Sequence, residues 1–315
     1  MPDPRRPWIL DFDGTITTKD TISTLTRFAI SRDESERDER QKAWEIIVKA
    51  YAADLNRHEK KYVPAKEERE TLQEEIDYYR DLQRIEEKSF ERISKSAIFR
   101  GIEKDQWMEW GQKAVQGGIV KGRKGIHEFV KGMTDDNSPQ CLYWGVVSVN
   151  FSKYFIGGVL TALGLRKMCA LANIAHSNGR LTGSIDLNGE QEPLIVTSEH
   201  KLTAMRKFLE YSRKHERMAL PAPMPVYIGD SGPDIECLME DGIIGIVMSE
   251  KEDGNLMQTL KRVNIHPKPI KEFRETDEKM VYWARDFTEI AASPLVTETR
   301  AEACFAREVD VQIAP

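Results

Sequence analysis

The stretch Trp8-Ile9-Leu10-Asp11-Phe12-Asp13-Gly14-Thr15-Ile16-Thr17 decides how this chain is read. Three apolar residues start a strand, and two carboxylates and a glycine then end it. Residues two apart on an extended chain point the same way, so Asp11 and Asp13 share a face. Gly14 permits the tight turn that leaves both acids facing a ligand instead of the core. The same residues also describe a strand running into an Asx-type turn, because Asp and Gly collect in turns for local hydrogen-bonding reasons. Three later segments bear on that choice. Tyr143-Trp144-Gly145-Val146-Val147-Ser148 is an apolar strand ending in a hydroxyl, Lys201 opens the helical stretch around Ser198 to Met205, and Val226-Tyr227-Ile228-Gly229-Asp230-Ser231-Gly232-Pro233-Asp234 is a strand releasing two carboxylates.

A chain of 315 residues with 40% hydrophobic content can bury one substantial core and a smaller second unit. It contains no run of eighteen apolar residues, and its first residues lack the apolar stretch of a signal peptide, so a soluble, cytoplasmic protein is expected. Cys141, Cys169, Cys237 and Cys304 show no paired spacing for zinc or a disulfide framework and read as reduced packing residues. A net charge of -6 offers no general attraction to nucleic acid or to an anionic membrane. An anionic substrate must then be attracted locally, by a metal and a few donors.

The texture changes after the first motif. From Asp20 to Gln116 the chain is dense in Glu, Lys, Arg and Gln, and spacings such as Trp44-Ile47-Val48-Tyr51 are helical. Pro64, the single proline of this region, reads as a helix start, with a long helix, broken once, running from there to Phe99. Three to five helices are expected, their charges forming solvated faces. From Gly117 onward helix and strand alternate: helical over 123–133, 151–163, 201–214 and 234–241, extended over 140–147, 168–175, 226–229 and 243–248. That alternation calls for a parallel sheet covered by helices. After Asn264 come a Pro- and charge-rich connection, the apolar Met280-Val281-Tyr282-Trp283 and a short helix over 287–292.

Four signals in this order, at strand ends and a helix start, resemble the motifs of the haloacid-dehalogenase superfamily of phosphohydrolases. Such an α/β core is a doubly wound parallel sheet, which gathers ligands at the carboxyl ends of its strands. The likeness is nearest to the phosphoserine-phosphatase-like branch, through Ala172-Asn173 and Gly179-Arg180-Leu181-Thr182-Gly183. The Asp11–Thr21 stretch and the Phe287 region are similar to fungal cytosolic members and methionine-salvage phosphatases. The resemblance implies a core over 1–18 and 118–295, an inserted all-helical cap over 19–117, and a C-terminal tail over 296–315.

It also implies roles. A phosphate monoester resists hydrolysis because its charged oxygens repel nucleophiles and its alkoxide leaves poorly. Asp11 becomes the nucleophile that forms an aspartyl-phosphate. Asp13 becomes the acid that protonates the leaving oxygen and then deprotonates water, a role worth on the order of 10² to 10⁴ in rate. Halide needs no such proton, so an acid at position 13 favours phosphate esters over dehalogenation. Asp230, the Asp11 side chain and the Asp13 carbonyl hold Mg²⁺, with Asp234 a further ligand or an outer support. Ser148 and the Val149 N–H bind phosphate oxygens. Lys201 balances their charge, with Lys207 as the alternative if the register differs. Asp20 and Asn150 are candidate substrate contacts, although Asp20 also fits a helix N-cap. His127, His176 and His200 suggest no metal site.

Two departures bear on substrate. The branch usually carries Ser-Gly-Gly where this chain has Ser148-Val149-Asn150, and Gly-Asp-Gly-x-Asn-Asp where it has Gly229-Asp230-Ser231-Gly232-Pro233-Asp234. Side chains replace the glycines against which a small amino acid lies, which counts against phosphoserine and leaves the identity of the phosphomonoester open. The leading expectation is a Mg²⁺-dependent phosphatase for a small molecule, with no nucleic-acid or membrane partner and no oligomeric state implied. A phosphomutase or phosphotransferase and a non-catalytic binding protein of the same fold are the alternatives.

Overall fold

The computed structural model describes residues 6–133, 143–165, 168–185, 189–215, 223–277 and 280–297. The strands are β1 (Trp8–Leu10), β2 (Trp144–Val147), β3 (Cys169–Leu171), β4 (Ile174–Ala175), β5 (Leu181–Thr182), β6 (Val226–Gly229), β7 (Ile244–Met248), β8 (Lys268–Pro269) and β9 (Val281–Ala284). The first five helices all lie between β1 and β2: α1 (Ile22–Ser31), α2 (Arg37–Glu59), α3 (Leu72–Asp81), α4 (Gln83–Ser96) and α5 (Lys104–Gln116). The others are α6 (Ile126–Met133), α7 (Lys153–Ala162), α8 (Ser198–His215), α9 (Ile235–Met239), α10 (Asn255–Arg262) and α11 (Phe287–Ala291).

Seven strands form one parallel sheet in the order β3-β2-β1-β6-β7-β9-β8, while β4 and β5 make a small antiparallel pair. The short strands are apolar at nearly every position because both faces are covered. Trp8, Leu10, Val146 and Ile228 enter the core on one face, and Ile9, Val147, Tyr227 and Val247 enter it on the other. From β1 the order runs one way to β2 and β3 and the other way to β6 and β7. The crevice beyond the carboxyl ends of β1 and β6 is thus the switch point at which such sheets bind ligands. Leu10 lies opposite both Val146 and Ile228, so the three motif loops leave the sheet side by side.

The inserted helices are fastened to the core. α5 packs backbone to backbone on α7, where a Cβ on Gly158 would lie 2.1 Å from the Met108 carbonyl oxygen. α3 is held by two buried carboxylates, Glu236 with Arg80 and Glu75 with Arg69 and Arg262.

Three expectations are corrected. Pro64 does not start the long helix; it follows a cis bond from Val63, a single 3₁₀ turn over Lys66–Glu68 comes next, and α3 begins at Leu72. There Thr71 Oγ1 accepts the Glu74 N–H at 3.2 Å and Glu74 Oε2 accepts the Thr71 N–H at 2.9 Å, a reciprocal cap that leaves two fewer orphan donors. The expected strand over 168–175 divides around Ala172 and Asn173, because the Asn173 side chain is committed to a neighbouring loop. The connection after Asn264 contains β8, which pairs with β9 at the sheet edge. The expected break in the long helix falls at Leu82, between α3 and α4. Cys237 is a buried thiol, whereas Cys141, Cys304, residues 140–142 and residues 298–315 lie outside the described residues. Among the described residues no helix is long and apolar enough to cross a membrane.

Candidate active site

β1 delivers Asp11 at its carboxyl end, where the Asp11 N–H still donates to Ile228 O of the neighbouring strand at 2.8 Å. The chain then makes a wide turn closed by the Thr17 N–H donating to Phe12 O at 3.0 Å. Gly14 adopts φ +80°, and a Cβ there would lie 2.2 Å from Asp230 Oδ2. The glycine is needed both for the backbone conformation and for room beside the second carboxylate. Arg123 secures the turn from outside, donating from Nε to Thr15 O at 3.2 Å and from its guanidinium to Gly14 O.

Lys201 stands in the first turn of α8, 1% exposed, and its Nζ donates to Asp11 Oδ1 at 2.6 Å and to Asp234 Oδ1 at 2.7 Å. Burial opposes its charge, yet the two carboxylates outweigh burial and raise its pKa above the ordinary value. Asp11, Asp230 and Asp234 bring carboxylate oxygens within 4.8 Å of one another. Burial, countered by Lys201 and reinforced by Asp234 and Asp230, pushes the Asp11 pKa up. Burial and the Asp234 charge push Asp230 to about 7, against the Thr15 hydroxyl that donates to its Oδ1 at 3.0 Å. One ammonium among three carboxylates leaves negative charge uncompensated. A donor set of hard oxygens with excess charge fits a divalent cation such as Mg²⁺.

The three acids are not equivalent. Asp234 is wholly buried and saturated: Tyr227 Oη donates to Oδ1 at 2.7 Å beside Lys201, while the Ser231 N–H and Oγ donate to Oδ2, each at 3.0 Å. Few lone pairs remain for a metal, so this carboxylate orients Lys201 and the loop after β6. Asp230 and Asp11 keep oxygens available.

Asp13 stands apart from that cluster. Its Oδ1 accepts the Thr21 N–H and its Oδ2 accepts Asn150 Nδ2, both at 2.8 Å. Burial and the charge of Asp20 raise its pKa to about 6, against those two hydrogen bonds. An acid tuned toward neutrality can give and take a proton, which a fully ionised carboxylate at its ordinary pKa does poorly.

Ser148 is buried at the end of β2, and its Oγ accepts the Asn150 N–H at 3.1 Å. Its own O–H has no acceptor among the described residues. Asn173 holds this loop from beneath, donating to Val149 O at 3.1 Å and to Asn150 O at 3.2 Å, while its Oδ1 accepts the Ile195 N–H at 2.8 Å. Asn150 therefore touches Asp13, and Val149 is positioned through its carbonyl. Asp20 is exposed, its Oδ1 accepting the Ile22 N–H at 2.9 Å at the start of α1, and it lines a cleft with Thr21, Thr24 and Lys121. Lys207 pairs with Glu192 away from the cluster. His127, His176 and His200 bond to Leu163 O, Thr182 Oγ1 and Thr197 Oγ1.

Tyr227, Thr15, Thr21 and Arg123 belong to the site without having been singled out. Thr15 and Tyr227 sit inside the quoted motifs, where a polar side chain beside a motif acid is a usable signal. Arg123 has none, since the partners of its guanidinium lie more than a hundred residues away in the chain.

No family model matches the chain. A CTO1 family protein of Schizosaccharomyces pombe is 26% identical over 296 residues, covering 90% of this chain and 97% of that protein. Among solved structures, a phospho-aspartyl intermediate analogue of phosphoserine phosphatase is 17% identical with a TM-score of 0.40, covering 83% of this chain and 92% of that one. A substrate-bound phosphoserine phosphatase is 16% identical with a TM-score of 0.42, covering 83% and 91%. A phosphoserine phosphohydrolase-like protein of Francisella tularensis is 14% identical with a TM-score of 0.42, covering 91% and 98%.

Proposed function

We propose that this chain is a Mg²⁺-dependent phosphomonoester hydrolase of the haloacid-dehalogenase type, acting on a small molecule, with helices α1–α5 as a cap over the site. One observation carries the reading. A buried lysine joins the carboxylate at the end of the central strand to a second, saturated carboxylate, while a third acid two residues along is held apart with its pKa near neutrality.

Asp11 attacks phosphorus with one carboxylate oxygen, and the bond from phosphorus to the ester oxygen breaks. Asp13 gives its proton to that departing oxygen. Water then attacks the same phosphorus, Asp13 takes the water's proton, and the bond between Asp11 and phosphorus breaks to release phosphate. Lys201 balances phosphoryl charge in both steps and fixes the attacking carboxylate. Ser148 and the Val149 N–H supply donors to the phosphoryl oxygens. Mg²⁺, which Asp11, the Asp13 carbonyl and Asp230 would hold, would neutralise phosphoryl charge.

The test is phosphate release from phenyl phosphate in Mg²⁺ by the parent, Asp11→Asn and Asp13→Asn. Asp11→Asn is expected to be inactive, and Asp13→Asn to retain substrate binding while losing on the order of 10² to 10⁴ in kcat. Near-parental release by either variant sinks the assignment. Adding an alcohol acceptor tests for phosphoryl transfer, which would appear as phosphorylated alcohol in place of phosphate.

A further inference from the structure

A cavity of about 330 Å³ lies between the inserted helices and the sheet, within the size range of small-molecule sites. Val149 and Pro233 line it from the loops of the core, and Ile22 from the start of α1. Each neighbours a residue of the proposed chemistry: Ile22 follows Thr21, which donates to Asp13; Val149 follows Ser148; Pro233 precedes Asp234. The opposite walls include Trp44, Tyr51 and Phe90, with Phe151 closing one side.

The cavity holds one acid and, among the described lining residues, no Lys, Arg or His. Glu86 comes from α4 and accepts a hydrogen bond from Tyr51 Oη at 2.7 Å on Oε1. Its Oε2 has no hydrogen-bond partner among the described residues, and no cation faces it. Burial raises its pKa above the ordinary value. A half-buried carboxylate with an idle oxygen and aromatic neighbours is what a cationic or strongly donating ligand group would pair with.

Resting on the hydrolase reading, we propose that the leaving group is a flat apolar alcohol bearing an ammonium or comparable donor, which Glu86 receives between the Trp44, Tyr51 and Phe90 side chains. Carboxylate-bearing leaving groups meet repulsion from Glu86 with no cation to offset it. Polyols would bury most of their hydroxyls against apolar walls, where Glu86, Ser89 and Tyr51 are the polar side chains on offer. An ammonium beside Glu86 favours the ionised carboxylate and so reinforces its own binding.

The probes are two aryl phosphates of matched shape: tyramine O-phosphate, with an ammonium tail, and the O-phosphate of 3-(4-hydroxyphenyl)propanoate, with a carboxylate tail. Phenyl phosphate, without a tail, is the reference. The full chain in Mg²⁺ is expected to show a kcat/KM ratio of tenfold or more in favour of the ammonium tail. Glu86→Gln keeps the acceptor for Tyr51, and is expected to bring that ratio within about threefold of unity, roughly the loss of one charge-assisted contact. A parental ratio near unity or reversed, with phenyl phosphate turned over, overturns the inference and leaves the hydrolase standing. A ratio retained in Glu86→Gln likewise overturns the assignment to Glu86. Absence of turnover on all three substrates refutes the hydrolase reading, and the inference with it.

Discussion

Replacing Lys201 by methionine keeps the side-chain length and removes the charge. The ammonium lies 2.6 Å from Asp11 Oδ1 and 2.7 Å from Asp234 Oδ1, so each attraction is worth roughly 6 kcal/mol at an effective dielectric of about 20. Burying an ammonium costs several kcal/mol, which offsets much of that gain. Removing one partner of a buried pair leaves the other charge unpaired and costs about 3–5 kcal/mol, and Lys201→Met leaves two carboxylates in that state. The expected loss is therefore about 3–5 kcal/mol near pH 7.5 with the metal chelated, or about 1 to 1.7 M in the urea midpoint for m near 3 kcal/mol/M.

The loss depends on pH in a fixed direction. Burial already raises the Asp11 pKa above 3.8, and Lys201 is what pulls it down, so the variant's Asp11 titrates higher still. A carboxyl with a raised folded-state pKa loses stability as pH rises from its unfolded value through its folded one. The variant's deficit must grow across that window and shrink on acidification. Urea unfolding followed by tryptophan fluorescence in EDTA, near pH 7.5 and near pH 5, measures both quantities. A deficit under about 1 kcal/mol near pH 7.5, or one larger near pH 5, would refute this account of the cluster.

Gly14→Ala sets a Cβ 2.2 Å from Asp230 Oδ2 at φ +80°, adding about 1–2 kcal/mol of backbone strain and displacing the acid. Turnover should fall on the order of 10²-fold and the Mg²⁺ needed for half-maximal activity should rise; an unchanged Mg²⁺ titration would contradict the placement of Asp230. Exhaustive chelation should abolish phosphate release, and Mg²⁺ at a hundred times its Kd should add about 2.7 kcal/mol of stability, read as a rise in Tm. Full activity in chelator would exclude the metal role. Ca²⁺ should support less activity, because its larger shell can take both Asp11 oxygens.

The motif acids were legible because their signal is local. An apolar run followed by Asp-x-Asp-Gly specifies a strand end and a turn within ten residues, and the strands at Trp8, Trp144 and Val226 fall where those patterns set them. Lys201 was legible through its place in the order of motifs, although nothing in its own neighbourhood distinguishes it from a solvated lysine. Tertiary structure decided which partners each acid acquired. Asp234 is saturated by Tyr227 and Ser231 and tied to Lys201, and Asp13 is held by Asn150, 137 residues away. Such pairings depend on the order in which strands enter the sheet, which no local pattern encodes. The same holds for Arg123 on the Gly14 turn, and for the cavity formed where α2 and α4 meet the loops of β2 and β6. Helix periodicity marks Trp44, Ile47, Val48 and Tyr51 as one face, but which surface that face covers is fixed only when the inserted helices pack on the sheet.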